Sequence, residues 1–458
     1  MAKHRWQITR RSFLQSVGAA GVGAMALPEI VPSTVFGADA PSNKLNVALL
    51  ACGERAVSDL PRDQNVVAIC DVDTRPLGQL KKDLDKAGQK TKVYEDYRKL
   101  LDNEKSVEAV VIAPGQRWHV PMSKRAMLAG KHVFCEKPLA HSAAQAREIR
   151  ELAKHSPKLV TQVGSQGGAT DTFRRSMEVI QAGVLGQIRE VFVWMDRGCG
   201  RSTNFDTHAD PIPKELNWDF WCGPSKVLPF KNGYLGFCLN WGPWLEFGDG
   251  HLADMGAHGL NLPWRALQLG APTKASVEIP EPLKDSYPSA TKFRWEFAAR
   301  ENLPPVTLWW NDGGKSGVPQ ELVREVLTTY GSFPGNGVLF AGEKGILWSD
   351  CWGVGGVVKL KNEAKGHGVL THEGCKSVPV TLPRVGGDHM GEFLRACKGG
   401  PRTFQGFETA ASVAEIAMVG IVTLRYGKPI EWDSEALAVK GEPAAEPFVH
   451  RPVRTKWL

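Results

Sequence analysis

The chain has 458 residues, of which 42% are hydrophobic and 23% are charged, so its composition excludes disorder or a collagen-like structure for most of its length. This length exceeds the usual size of one domain and predicts two domains with an additional segment. The net charge of +7 is spread without any Lys or Arg run longer than a pair, which argues against a nucleic-acid partner.

Residues 1–40 differ in character from the rest of the chain. Arg10 and Arg11 precede an apolar stretch at 17–27, which is too short to span a bilayer core of about 30 Å. Small residues follow up to position 40, as in a region that a signal peptidase cuts. The pattern predicts a twin-arginine signal peptide and linker. It also predicts export to the periplasm or beyond, with no stable membrane insertion once the leader is removed.

Residues 41–185 alternate between short apolar runs and helical patterns. Strands are predicted at 45–50, 66–70, 109–113, 132–135 and 159–163, and helices at 77–87, 120–129, 143–153 and 171–182. This alternation predicts a doubly wound parallel sheet, the Rossmann type of α/β fold.

The turn after the first strand carries an incomplete dinucleotide fingerprint. The three glycine positions of G-x-G-x-x-G fall at Ala51, Gly53 and Ala56, so only the middle glycine is present. An alanine at the first position costs about 1 kcal/mol if a positive φ is required. Micromolar cofactor binding is worth about 8 kcal/mol, so this loss weakens the site without abolishing it. Pro61 limits the next helix to about two turns, and its first turn is the part that holds a phosphate.

Four other residues complete this predicted nucleotide site. Cys52 lies in the turn, Glu54 places a negative charge where the diphosphate would lie, and Arg55 compensates that charge. Asp71 ends the second strand, where an acid bonds the adenosine ribose hydroxyls. An acid there favours NAD over NADP because it repels a 2′-phosphate.

Residues 186–458 contain longer alternating strands, which predict a large, mostly antiparallel open sheet with one exposed face. Two closing helices are predicted at 388–396 and 407–425. Because large apolar sheet faces seldom stay bare, a homo-oligomer is expected. Nine cysteines without a C-x-x-C pair argue against a zinc site and a complete disulfide framework. Most of them should be buried, and the sequence leaves open whether one or two disulfides form.

Several motifs follow one another in a characteristic order. They are VVIAPGQRWH, CEKPLA at 135–140, TQVGSQG, GQIREVFVW, NWDFWCGP and ADMGAHGLN at 253–261. Together they resemble the Gfo/Idh/MocA oxidoreductases, relatives of glucose-fructose oxidoreductase and inositol dehydrogenase, over residues 45–433. The resemblance implies a Rossmann domain, an open-sheet domain, and an active site in the cleft between them.

The resemblance also assigns roles to individual residues. Lys137 would reach the nicotinamide and substrate, Glu136 would orient that lysine, and Pro138 would shape the strand end, a cis bond being one way. Asp254 and His258, four apart on one helical face, would bind sugar hydroxyls, and His258 would take the hydroxyl proton. Further cofactor contacts by the resemblance are Ala113, Pro114, Trp118, His119 and Gln166.

Other candidates surround these residues. His251 shares the face of Asp254 and His258, and such a trio suits a metal, but the family does not need one and none is expected. Candidates for stacking on sugar rings, with interdomain packing as the alternative, are Trp218, Trp221, Trp241 and Trp244. Residues 114–119 depart from the T-P-D-H-W-H of relatives, because Gln116 and Arg117 replace the acid and the first histidine.

These features predict an NAD-dependent oxidoreductase that moves a hydride between a sugar carbon and nicotinamide, with His258 and Lys137 as proton-transfer groups. Its partner would be a small carbohydrate. Two alternatives stay open: NAD-assisted glycoside cleavage or elimination on the same fold, and a non-catalytic sugar-binding protein with a degraded nucleotide site.

Overall fold

Six parallel strands form the first sheet of the protein, whose structure, a computed structural model, describes residues 43–458. They are β1 (Asn46–Leu50), β2 (Asn65–Cys70), β3 (Lys92–Tyr94), β4 (Ala109–Ile112), β5 (His132–Cys135) and β6 (Thr161–Val163). Their order is β3-β2-β1-β4-β5-β6, that of a dinucleotide-binding sheet. The predicted signal peptide and linker lie outside the described residues.

Helices cover this sheet and bury its central strands. They are α1 (Glu54–Asp59), α2 (Thr74–Lys86), α3 (Tyr97–Asn103), α4 (His119–Leu128), α5 (Ala143–His155) and α6 (Asp171–Gln181). α1 has only six residues because Leu60, which precedes a proline, is extended and ends the helix. α2 begins where the Asp73 side chain accepts a hydrogen bond from the Arg75 N–H, and α5 begins where Ser142 caps Gln145 in the same way.

The second sheet has ten strands and is antiparallel except where β7 pairs with β10. They are β7 (Ile188–Trp194), β8 (Lys274–Glu278), β9 (Lys292–Phe297), β10 (Val306–Asn311), β11 (Gly337–Gly342), β12 (Gly345–Ser349), β13 (Val357–Leu360), β14 (His367–Gly368), β15 (Ile430–Asp433) and β16 (Ala438–Val439). The spatial order is β14-β13-β12-β11-β7-β10-β9-β8-β15-β16. The predicted fold class, a Rossmann sheet with a mostly antiparallel open sheet, is confirmed.

The remaining helices follow β7 in the chain. They are α7 (Trp218–Cys222), α8 (Cys238–Trp241), α9 (Gly250–Gly259), α10 (Asn261–Leu267), α11 (Gln320–Tyr330), α12 (Glu373–Lys376), α13 (His389–Cys397), α14 (Phe407–Tyr426) and α15 (Glu446–Val449). Residues 45–458 form one compact unit, so the predicted boundary near residue 185 separates two sheets within it.

α14 is apolar enough and long enough to cross a membrane, and it is the one such helix among residues 43–458. It packs against α5 of the first sheet and against α9 and β8 of the second. A helix that is apolar all round is expected at such a position, because neighbours surround it. Its composition therefore reflects the junction between the two sheets, since 78% of its most apolar window is buried.

The outer face of the second sheet differs from the exposed apolar face that the sequence predicted for a single chain. On β9 the inward side chains Phe293 and Trp295 are buried, and the outward side chains Arg294 and Glu296 are half-exposed and form an ion pair. α11 covers the other end of this face around Trp348. Because the uncovered part is polar, it gives no apolar reason for oligomerisation, and the homo-oligomer stays a prediction.

Candidate active site

The turn between β1 and α1 answers the question raised by its missing glycines. Ala51 has φ +82°, so the first fingerprint position does require the left-handed region. Gly53 has an ordinary conformation, with φ −67° and ψ 169°. A Cβ on Gly53 would meet no atom of residues 43–458 within 4 Å. The fold thus tolerates a side chain at Gly53, and its absence leaves free space above the first turn of α1.

Asp71 closes this turn from the end of β2. Its carboxylate accepts hydrogen bonds from the backbone N–H groups of Cys52, at 2.6 Å, and Asp73, at 2.9 Å. Burial raises the pKa of Asp71 to about 6 despite these bonds. The Cys52 thiol is buried, and burial raises its pKa as well. Asp71 therefore joins the turn to the second strand at the position predicted for the adenosine ribose.

Arg55 does not compensate Glu54 as the sequence suggested. Its Nη2 lies 3.1 Å from Asp59 Oδ1 and 3.0 Å from Glu136 Oε1. Asp59 is one turn further along α1, and Glu136 follows β5, so both carboxylates reach the same guanidinium. Burial, together with the nearby charge of Glu136, raises the pKa of Asp59 to about 8. Glu54 is exposed at the cleft.

Lys137 and Asp254 form an ion pair between the two sheets, with 2.5 Å between Nζ and Oδ1. Burial acts to lower the pKa of Lys137, but the charge and hydrogen bond of Asp254 outweigh it and hold this pKa above its ordinary value. Burial likewise opposes ionisation of Asp254, yet the Lys137 charge holds the pKa of Asp254 below its usual range. Both groups are therefore charged at neutral pH.

Glu136 orients the backbone at Lys137 and not the ammonium, a difference from the predicted role. Its Oε2 accepts from the Lys137 N–H at 3.1 Å, and its Oε1 accepts from Gln166 Nε2 at 3.4 Å. The Lys137–Pro138 peptide bond is cis. The ammonium is instead held by Asp254, which lies 117 residues away in the sequence.

His258 lies one turn beyond Asp254 on α9 and is 4% exposed. Its Nδ1 is buried and has no hydrogen-bond partner in the described part of the chain. Burial and the Lys137 charge lower the pKa of His258 to about 3, so the imidazole is neutral at physiological pH. A buried ring nitrogen without a partner in the protein is suited to hydrogen bond with a bound ligand.

One cleft of about 1040 Å³, near the upper end for ligand sites, connects the Rossmann turn with these groups. The predicted residues that line it are Cys52, Gly53, Glu54, Arg55, Asp71, Ala113, Pro114, Trp118, Glu136, Lys137, Gln166, Trp221, Trp241, Asp254 and His258. The structure thus brings both predicted half-sites together in one space.

Four predicted residues lie outside the cleft wall. The ring nitrogens of His119 lie 2.6 Å from the Pro138 carbonyl oxygen and 3.0 Å from that of Pro114, so His119 braces the loops after β4 and β5. Trp218 donates its indole N–H to the Leu228 carbonyl at 2.8 Å and packs in an aromatic cluster.

Trp244 stacks on Phe205, with 5.2 Å between ring centroids. His251 is 1% exposed, and burial lowers its pKa. No group of three or more His, Cys, Asp or Glu able to hold a metal is found in residues 43–458. All nine cysteines lie in that range and are free thiols, so the open question of disulfides is answered for this structure.

Gln116 and Arg117, the two residues that depart from the family pattern, connect the Rossmann domain with the domain of the second sheet. Arg117 donates from Nη2 to the Trp221 carbonyl at 2.6 Å and from Nε to the Cys222 carbonyl at 3.2 Å, which caps the end of α7. Gln116 donates to Asp249 Oδ2 at 3.1 Å. Gln116 is therefore held away from the space above Gly53, and both residues hold the far wall of the cleft in place.

The cleft wall also contains many residues that the sequence did not indicate. Among them are Arg197, Phe237, Cys238 and Trp352. Cys238 Sγ lies 3.8 Å from Asp254 Oδ1, and the ring centroid of Trp352 lies 6.0 Å from that of His258. Each sits in a loop or a single helical turn of the second domain, where no periodic pattern marks a site.

With this geometry in place, known proteins provide a comparison. Residues 53–165 match the model of the Gfo/Idh/MocA oxidoreductase family, described as an NAD-binding Rossmann fold. The Rossmann segment of this chain is therefore similar to that family, and the NAD-binding fold of the family model supports the predicted cofactor, NAD.

Two curated relatives match about a third of the chain or less. Inositol 2-dehydrogenase of Salmonella typhimurium is 34% identical over 122 residues, covering 27% of this chain and 35% of that protein. Glycosyl hydrolase family 109 protein 2 of Shewanella sp. (strain ANA-3) is 33% identical over 168 residues, covering 32% and 37%. This chain therefore spans about a third of the length of the curated relatives that it matches.

Several solved structures share the fold over most of the chain. Aldose-aldose oxidoreductase from Caulobacter crescentus, complexed with glycerol, has a TM-score of 0.55 at 17% identity, covering 85% of this chain and 100% of that one. An inositol dehydrogenase homolog from Azotobacter vinelandii, complexed with NADH and myo-inositol, also has a TM-score of 0.55 at 17% identity, covering 85% and 98%. The likeness is one of fold, and it covers most of this chain.

Proposed function

We propose that the protein is an NAD-dependent oxidoreductase that acts on a sugar or sugar derivative in this cleft. One observation carries the proposal: Lys137 and Asp254, which form an ion pair, and His258, whose buried Nδ1 has no partner in the described residues, line the same cleft as the Rossmann turn. A protein that only bound sugars would have no chemical reason to place a neutral buried base beside a buried cation.

The chain fits the cofactor at its turn. The space above Gly53 leaves backbone N–H groups of α1 accessible to a diphosphate, and Asp71 lies where the adenosine ribose would be held. Ala113, Pro114 and Gln166 line the cleft toward Lys137. When bound, NAD supplies the acceptor for the hydride that leaves the sugar carbon. Asp71 favours NAD over NADP by its charge.

The substrate end of the cleft supplies proton transfer and charge stabilisation. His258 is neutral, so its free Nδ1 accepts the proton of a substrate hydroxyl. The Lys137 ammonium stabilises negative charge that develops on the same oxygen, and Asp254 holds the ammonium in place. Burial of these groups keeps water away and strengthens each interaction.

A second candidate uses the same residues for glycoside cleavage assisted by transient oxidation. The similarity of residues in this chain to the family 109 glycosyl hydrolase favours it. The two functions differ in their products, because cleavage releases a free sugar or aglycone and leaves the cofactor in its original oxidation state.

Three measurements test the proposal. Mass spectrometry of the small molecules released on unfolding should find NAD, and sugars added to the holoenzyme should change the absorbance of reduced nicotinamide or release an aglycone. His258→Gln should abolish turnover, while His208→Gln, at a side chain that is 91% exposed, should not. Failure to find or bind a dinucleotide would favour the remaining alternative, a non-catalytic sugar-binding protein.

We also propose export through the twin-arginine pathway and assembly into a homo-oligomer. Arg10 and Arg11 support export, and replacing both by Lys should leave the protein in the cytoplasm. Because NAD is scarce outside the cytoplasm, the exported protein would carry its cofactor with it and recycle it in place. Light scattering of the purified protein would give the oligomeric state.

A further inference from the structure

We propose that the cleft continues past His258 into a second sugar-binding position formed by Phe237 and Trp352, so that the preferred substrate is a glycoside of two or more rings. This inference rests on the proposed function, whose proton-transfer residues define the reacting ring. It adds a substrate class and two specificity residues.

Two exposed aromatic side chains line the cleft next to these reacting groups. Phe237 is 58% exposed and Trp352 is 39% exposed, and both contribute to the cleft wall. Phe237 precedes Cys238, whose Sγ lies 3.8 Å from Asp254 Oδ1. Trp352 lies beside His258, with 6.0 Å between ring centroids. The two aromatic side chains therefore lie next to the groups that would act on the substrate.

The exposure of Trp352 is not the result of a loose loop. Asp350 Oδ1 accepts hydrogen bonds from the N–H groups of Trp352, at 3.0 Å, and Val354, at 2.7 Å. A Cβ added to Gly167 would come within 1.9 Å of the Trp352 carbonyl oxygen, so the loop packs directly on the Rossmann domain. A rigid backbone thus presents the indole to the cleft.

The chemistry of this position fits a sugar ring. Flat aromatic side chains suit the C–H faces of sugars, and leaving two of them exposed in one cleft forgoes the stabilisation of burying them. Arg197 lines the same cleft, and its guanidinium has no hydrogen-bond or ion-pair partner within residues 43–458. Its donors are available to ring hydroxyls. The reacting ring needs Lys137, Asp254 and His258, so the aromatic pair serves an adjacent ring.

The experiment compares mono- and disaccharides on the holoenzyme: glucose with maltose and cellobiose, and galactose with lactose. Initial rates of nicotinamide reduction and calorimetric binding are measured for each sugar. We expect the wild type to prefer a disaccharide. Trp352→Ala and Phe237→Ala should each raise KM for the disaccharide roughly tenfold, as expected for loss of one stacking contact. Each should change KM for the monosaccharide less than about twofold.

Matched variants separate this role from folding. Trp352→Phe should keep most of the disaccharide preference. Tyr330→Ala, at an aromatic side chain that is 51% exposed outside the cleft, should leave KM for both kinds of sugar unchanged. Equal losses for mono- and disaccharides, or a wild type that binds both equally, would overturn the inference. If no sugar is oxidised, the proposed redox function fails, while disaccharide binding that Trp352→Ala weakens would still support the second position.

Discussion

The open space above Gly53 leads to a prediction in which stability and cofactor affinity change in opposite directions. In Gly53→Ala the new Cβ meets no protein atom of the described chain, and φ −67° suits alanine. The substitution should therefore raise the free energy of unfolding by about 0.4–1 kcal/mol, because alanine leaves the unfolded chain fewer backbone conformations than glycine does. If the diphosphate lies in that space, the added methyl group costs about 1–3 kcal/mol of binding, which weakens NAD roughly 5- to 150-fold.

Ala51→Gly is the matched control in the same turn. A non-glycine residue at φ +82° is strained by about 1–2 kcal/mol, and glycine removes this strain. Glycine also lowers the stability by about 0.5–1 kcal/mol, because it has more conformational entropy in the unfolded chain. The net gain in stability should be about 0.5–1 kcal/mol, with little change in NAD affinity. Urea unfolding and calorimetric titration of the apoprotein with NAD measure both quantities. Unchanged NAD affinity in Gly53→Ala would refute the placement of the diphosphate.

Three other predictions concern the catalytic groups and the end of the described chain. Asp254→Asn should cost about 3 kcal/mol of unfolding free energy at neutral pH, because it leaves the Lys137 ammonium buried without its partner. The folded-state pKa of Asp254 is lowered and that of Lys137 is raised. The pair's contribution is therefore lost as pH falls through the former or rises through the latter, and in acid the variant should match the wild type in urea unfolding. Since the pKa of His258 is about 3, kcat/KM of the wild type should show no acid limb from this group between about pH 5 and 7, and an acid limb near the ordinary pKa of histidine would contradict its burial. Trp457 stacks on Phe220 with 4.2 Å between centroids, so Trp457→Ala should lower the free energy of unfolding by about 1 kcal/mol, and unchanged thermal unfolding would show that this contact is dispensable.

Local sequence patterns predicted much of the secondary structure. The strand at His132–Cys135 has the predicted bounds, and α6 begins at the predicted Asp171, because buried strands and amphipathic helices have periods visible over ten residues. β3, at Lys92–Tyr94, was missed because its side chains are exposed or half-buried and show no apolar run. α11 was missed although its residues are helical, since it packs on a sheet face expected to be bare.

By itself, then, the sequence determined the two-sheet fold, the nucleotide turn, and the residue types that meet in the cleft, because motifs and periodicity are local. Only the tertiary structure decided which charges pair: Arg55 with Glu136, and Lys137 with Asp254. Such partners lie far apart along the chain, and their distances depend on how the two sheets pack. The same packing presents Trp352 to the cleft, a role that no local pattern announces.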